Sequence, residues 1–154
     1  MNPTLKTWQR LSSYPLGKRL FSRAICFKAP YFGSIRPQFE VLETGYAVAT
    51  MRERRAVHNH IGSVHAIAMC NLAEYSAGVL SEASMPVGMR WIPAGMTVRY
   101  LGRAKGVLKA EARLRDIVPG EKGAVPVMVE VKDEAGELVF DARIDMHISP
   151  KPEK

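Results

Sequence analysis

Apolar and polar positions divide this chain into a short helical start, a pair of strands, one long apolar helix and a closing run of strands. Residues 3–12 and 15–28 predict two helices, broken at Tyr14-Pro15. In the second, Leu16, Leu20, Ala24 and Phe27 recur at three- and four-residue spacing, with Arg19 and Arg23 between them. That stripe is expected to pack on the rest of the domain; a helix lying on a membrane surface is the alternative. Pro30-Tyr31-Phe32-Gly33 is a break, and Arg36-Pro37 starts extended chain. Residues 38–52 alternate as two strands that turn near Thr44-Gly45.

From Ser63 to about Leu80 the spacing is helical. Ala66, Met69, Ala73 and Ala77 mark one face, and Ala68, Leu72, Val79 and Leu80 add apolar area on others. A helix apolar on all sides is a buried one. Its small side chains imply that something packs very close. Ser63 is the expected N-cap, with Gly62 allowing a tight entry. After Pro86 the pattern is all strand. It covers 91–101 with a bulge or kink near Pro93 and Gly95, then 107–114, 125–132 and 138–148. Turns fall at 119–123 and 133–136. Strands on both sides of one buried helix predict an α+β fold, an antiparallel sheet curled around that helix.

A length of 154 residues fits one domain, and 47% hydrophobic residues suffice for a packed core. No apolar run approaches the ~20 residues that span a bilayer. Cys26 and Cys70 sit in apolar contexts and are read as buried thiols, which fits a reduced, cytoplasmic setting. The net charge of +7 is unevenly spread. Lys6, Arg10, Lys18, Arg19, Arg23, Lys28 and Arg36 all precede the first acid, Glu40. Without those seven, the 22 basic residues fall to 15 and equal the 15 acidic ones. The imbalance therefore lies in the N-terminal quarter, where it suits a solvated helix face, an organellar leader or an anionic partner. The segment lacks the interleaved aromatics of a nucleic-acid module.

Chemistry concentrates at residues 59–74. Glu74 is the carboxylate of an otherwise apolar helix, where burial would raise its pKa and suit it to general-base work. A structural acid bonded to a tyrosine or the backbone is the alternative. The helix entrance offers unpaired N–H groups near His65 and Ala66, a ready oxyanion hole. Asn59 could hold a water or a carbonyl, or bond its own loop. His58, His60, His65 and Glu74 lack the tight ligand pairs of a zinc site, so no metal is expected. His65 is read as shaping the turn through a ring–backbone bond, and His147 as structural.

Asn59, Gly62, His65-Ala66 and Glu74 together resemble the motif of hotdog-fold acyl-CoA thioesterases of the phenylacetate-pathway type. There an Asn precedes a His-Gly pair by six residues and an acid follows that His by nine, the spacings seen here. Residues 96–104 and 129–139 resemble the strand after the helix and the closing hairpin. With the N-terminal helices and Asn71-Leu72-Ala73-Glu74, the chain is most similar to the DUF4442 branch of that superfamily. The resemblance implies a hotdog fold, six antiparallel strands wrapped around a long central helix, with an N-terminal helical extension. It divides the chain into a basic helical extension (1–29), one hotdog domain (30–150) and a disordered tail (151–154). It implies a homodimer with a continuous sheet, in some cases a tetramer, and an active site between subunits. Asn59, His65 and the Ala66 amide would come from one subunit and Glu74 from the other. Glu74 would activate water or attack a thioester carbonyl. Gly62, Arg103, Lys105 and Thr97 would help to bind substrate, with surface cations on the coenzyme A phosphates. The thioester is substrate, and no cofactor is implied. The same fold would also serve a non-catalytic acyl-thioester binder, or a dehydratase with His65 as base. Two departures stand out: His-Ala replaces His-Gly, and the acid is Glu where Asp is common.

Overall fold

The computed structural model describes residues 2–152. Two helices open the chain, α1 (Pro3–Ser12) and α2 (Gly17–Lys28). A 3₁₀ segment, Pro30–Ile35, leads to β1 (Gln38–Glu43) and β2 (Tyr46–Arg52). The long helix α3 (Ala66–Ser84) follows. Then come β3 (Met89–Tyr100), β4 (Val107–Leu114), β5 (Gly123–Lys132) and β6 (Leu138–Pro150). All six strands form one antiparallel sheet in the order β1-β2-β4-β5-β6-β3. The sheet curls around α3, which touches every strand. This is the hotdog arrangement that the resemblance implies.

Period-two burial explains the sheet. In β4, Leu108, Ala110, Ala112 and Leu114 point inward while Lys109 and Arg113 face solvent. In β6, Phe140, Ala142, Ile144, Met146 and Ile148 do the same. Small residues let the helix sit close to this surface. Ala73 and Ala77 are fully buried, and a Cβ added at Gly78 would lie 3.2 Å from the Trp91 ring. β3 carries a bulge between Pro93 and Gly95, as expected, and lies at the edge of the sheet.

The N-terminal helices are not an appendage. Leu5, Trp8 and Phe21 belong to the same buried cluster as Phe39 and Tyr75. Trp8 meets Phe21 edge-on at 5.1 Å, and Phe39 stacks on Tyr75 at 4.6 Å. Asn2 caps α1 by accepting from Thr4 N–H (2.8 Å), and its amide donates to the Glu82 and Met85 carbonyls at the far end of α3. This satisfies helix-terminal carbonyls that would otherwise lack partners.

The orientation of α2 differs from expectation. Its buried residues are Gly17, Phe21 and Ser22, while Leu16, Leu20, Ala24 and Phe27 face solvent. The helix has two apolar faces, and spacing alone does not say which turns inward. Gly17 decides. A Cβ there would lie 1.7 Å from the Leu11 carbonyl oxygen, so only glycine permits this α1–α2 approach, and the approach points Phe21 at Trp8. At the other terminus, Lys151 N–H donates to the Gly88 carbonyl (2.8 Å). The rest of the expected tail, Glu153 and Lys154, lies outside the described residues.

Candidate active site

The loop before α3 is built by Asn59. Its side-chain oxygen accepts from the N–H groups of Ile61 and Ser63 (both 3.1 Å), and its amide donates to the Ser63 hydroxyl (2.9 Å). Gly62, at φ 76°, supplies the left-handed residue that this tight loop needs. Ser63 is therefore spent inside the loop and buried, and the helix cap falls two residues later than expected. His65 is the N-cap. Its Nδ1 accepts from Ile67 N–H (3.0 Å), the ring–backbone bond read from the sequence. Ala66 is then the first residue of α3, and its N–H has no hydrogen-bond partner among the described residues. It carries the positive end of the helix dipole.

Arg103 holds this loop from the outside by donating to the Ile61 carbonyl (3.2 Å), and Val64 N–H donates to the Ala104 carbonyl (2.9 Å). Lys105 is exposed beside them. Sequence reasoning missed Glu53, which ties the two segments together. Its carboxylate accepts from Gly106 N–H (2.5 Å) and bonds His58 Nε2 (2.8 Å). The Gly106 N–H foremost, then His58 and the nearby Lys105, hold the Glu53 carboxyl below its ordinary range. Only the short polar run 52–55 hinted that β2 ends in a carboxylate with work to do.

Glu74 lies on the wall of an open groove of about 670 Å³ between α3, the 3₁₀ segment and β3. That size is in the usual range for small-molecule sites. The carboxylate is half-buried, which corrects the expectation of a buried acid. Ile67, Cys70, Asn71 and Glu74 line one stripe of α3, at positions i, i+3, i+4 and i+7, and this stripe faces the groove beside the edge strand β3. Met96, Val98 and Tyr100 form the opposite wall, and Tyr31 and Phe32 the rim. Asn71 donates to the Ser34 hydroxyl (3.2 Å), which pins that rim. Cys70 Sγ lies 3.8 Å from the Tyr100 hydroxyl, and this contact first of all pushes the Tyr100 phenol up. The stripe was readable from spacing, although the surrounding apolarity hid it.

Thr97 is placed elsewhere. Alternation puts it on the outer sheet face, with Arg99, Glu111, Arg113, Asp141 and Arg143, away from the Glu74 groove of the same protomer. The histidines are used separately: His58 on Glu53, His65 on the cap, His60 and His147 at the surface. Among the described residues no three metal-binding side chains converge. Both cysteines are free, and Cys26 is half-buried where full burial was expected.

Ala66 and Glu74 are separated by eight residues of continuous helix, roughly 12 Å of rise. One carbonyl cannot touch both within a single protomer.

Solved structures share this architecture. The structural-genomics protein APC5556 is 43% identical, with 96% of this chain and 99% of that one covered and a TM-score of 0.84. PA5026 from Pseudomonas aeruginosa, described as a probable thioesterase, is 28% identical over 90% of this chain and 97% of that one, with a TM-score of 0.77. The thioesterase SAV0944 from Staphylococcus aureus shares the fold at 20% identity, over 79% of this chain and 99% of that one, with a TM-score of 0.70. No curated protein matches the chain. The profile of the domain of unknown function DUF4442 matches residues 17–148, and with most of the length covered the chain belongs to that family.

Proposed function

We propose that this protein is a thioester hydrolase acting on acyl-CoA or a related acyl thioester, and that it works as a homodimer. The observation that carries the reading is the groove, a mostly apolar channel whose wall presents one carboxylate, Glu74. An acyl chain would lie along Ile67, Met96 and Val98. Glu74 would activate water at the carbonyl, and the free Ala66 N–H would stabilise the oxyanion.

On this reading the two groups come from different copies, which the helix rise between them supports. β3 supports such a pairing: it is a 12-residue edge strand bonded on one side to β6, with its other edge open to a second β3. Asn59, Gly62 and His65 would then position the Ala66 amide, Arg103 and Lys105 would face the coenzyme A phosphates, and Thr97 would lie outside the chemistry. A larger assembly of paired dimers is compatible with this reading.

A second reading, acyl-thioester binding without turnover, is favoured by Ala66 where relatives of this motif carry glycine, and by the Asn59 oxygen, which is spent on its own loop. One experiment separates the two. Thiol release is measured over a panel of acyl-CoAs with wild type and Glu74→Gln, alongside calorimetric binding. Hydrolysis is expected for wild type, with kcat lower by about 10²–10⁴ in Glu74→Gln. Binding without release by wild type establishes the second reading. Unchanged turnover in Glu74→Gln removes the carboxylate mechanism.

A further inference from the structure

Helix α2 buries one apolar face and exposes another. At about 100° per residue, Leu16, Leu20 and Phe27 lie opposite the buried Phe21 and Ile25 side. Their exposures are 71%, 58% and 91%. Such a stripe on one helix face, with no covering element, marks an interaction surface. Leu16 adds to this. It sits at φ 63°, a left-handed conformation that glycine or asparagine would adopt at lower cost, and yet the chain keeps an exposed leucine there.

The charges say what fits. Arg23 lies within the stripe and Arg19 beside it, and neither has a carboxylate partner among the described residues. Of the seven cations that precede Glu40, only Lys18 is paired among the described residues, to Glu40 itself at 3.4 Å. Apolar side chains flanked by unpaired arginines on a single exposed helix face complement a surface that is anionic outside and apolar just beneath. We propose that this face of α2 docks on an anionic lipid bilayer. Leu16, Leu20 and Phe27 enter the boundary between headgroups and acyl chains, and Arg19 and Arg23 reach the phosphates along their aliphatic stems. The helix lies in the plane; among the described residues no helix is long and apolar enough to cross a membrane. Ala29 and Pro30, which follow α2, line the groove, so the docking face and the groove are joined by adjacent residues. The proposal rests on the surface alone and is independent of the hydrolase reading.

The test is cosedimentation of the full chain with phosphatidylcholine vesicles, with and without phosphatidylglycerol, at low and high salt. Wild type is expected to bind the phosphatidylglycerol vesicles and to be weakened by salt. The pair Leu20→Ser/Phe27→Ser and the pair Arg19→Gln/Arg23→Gln should each reduce partitioning by about tenfold. Because all four positions are exposed, their melting temperatures should match wild type. No binding by wild type, or binding indifferent to the serine pair, overturns the proposal. If only the arginine pair matters and duplex DNA competes, the surface is a polyanion site and the proposal falls. If vesicles are ignored and Leu20→Ser/Phe27→Ser lowers the mass measured by light scattering, a second copy covers this face, which also overturns it.

Discussion

Phe21 and Phe27 lie six residues apart on the same helix and should behave as opposites. Phe21 is 2% exposed and packs edge-on against Trp8 (5.1 Å) and Phe39 (6.1 Å). Truncating it to alanine removes a full aromatic burial and opens a cavity that Gly17 and the α1–α2 hairpin cannot close. Such changes cost about 3–5 kcal/mol. That is a large share of the 5–15 kcal/mol typical of a domain. At about 2–4 °C per kcal/mol for this size, the melting temperature should fall by roughly 6–20 °C. Phe27→Ala, at a position in solvent, should stay within about 0.5 kcal/mol. Urea and thermal unfolding followed by circular dichroism measure both variants against wild type. Equal effects, or a Phe21→Ala cost below about 1 kcal/mol, would refute the claim that α2 completes the core. The same logic predicts that removing residues 1–28 bares Phe39 and Tyr75 and yields insoluble protein.

Three further outcomes are expected. Gly17→Ala places a Cβ against the Leu11 carbonyl and should destabilise by at least about 2–3 kcal/mol, or prevent folding, as read by denaturant titration. Glu53 has a folded-state pKa below its unfolded value, so its contribution is present at neutral pH and is lost as pH falls below the ordinary carboxylate range. Glu53→Gln should therefore flatten the acid side of the stability–pH curve, and a slope identical to wild type would remove this role. Ala66→Gly keeps the N–H and removes the methyl, so kcat/KM for acyl-CoA should hold or rise; a loss of tenfold or more would place Ala66 outside the oxyanion site.

Where the fold depends on local alternation, it was legible. The inward 108, 110, 112 and 114 positions of β4 and the small Ala73, Ala77 and Gly78 of α3 announce a sheet wrapped closely on a helix. Where two local solutions are equally apolar, it was not. The rotation of α2 follows from the approach of Gly17 to Leu11 and the pairing of Phe21 with Trp8, contacts made only once α1 has folded back. The site shows the same division. The bonds of Asn59 and His65 run to neighbours in sequence, and His65 makes the ring–backbone bond read from the spacing, although it, and not Ser63, turns out to be the cap. Glu74 was expected to be buried because its helix is apolar all round, but the stripe 67, 70, 71, 74 lies where the sheet stops, at the groove.

The open edge of β3 and the outer face of α2 differ in kind. The edge of β3 offers backbone donors and acceptors at fixed spacing, which only another strand in register can satisfy. The outer face of α2 offers flexible arginines and apolar side chains with no directional geometry, which a fluid, charged surface satisfies without a register. A second copy is therefore the better partner for the strand edge, and lipid the better partner for the helix. The two proposals rest on different observations and can fail separately.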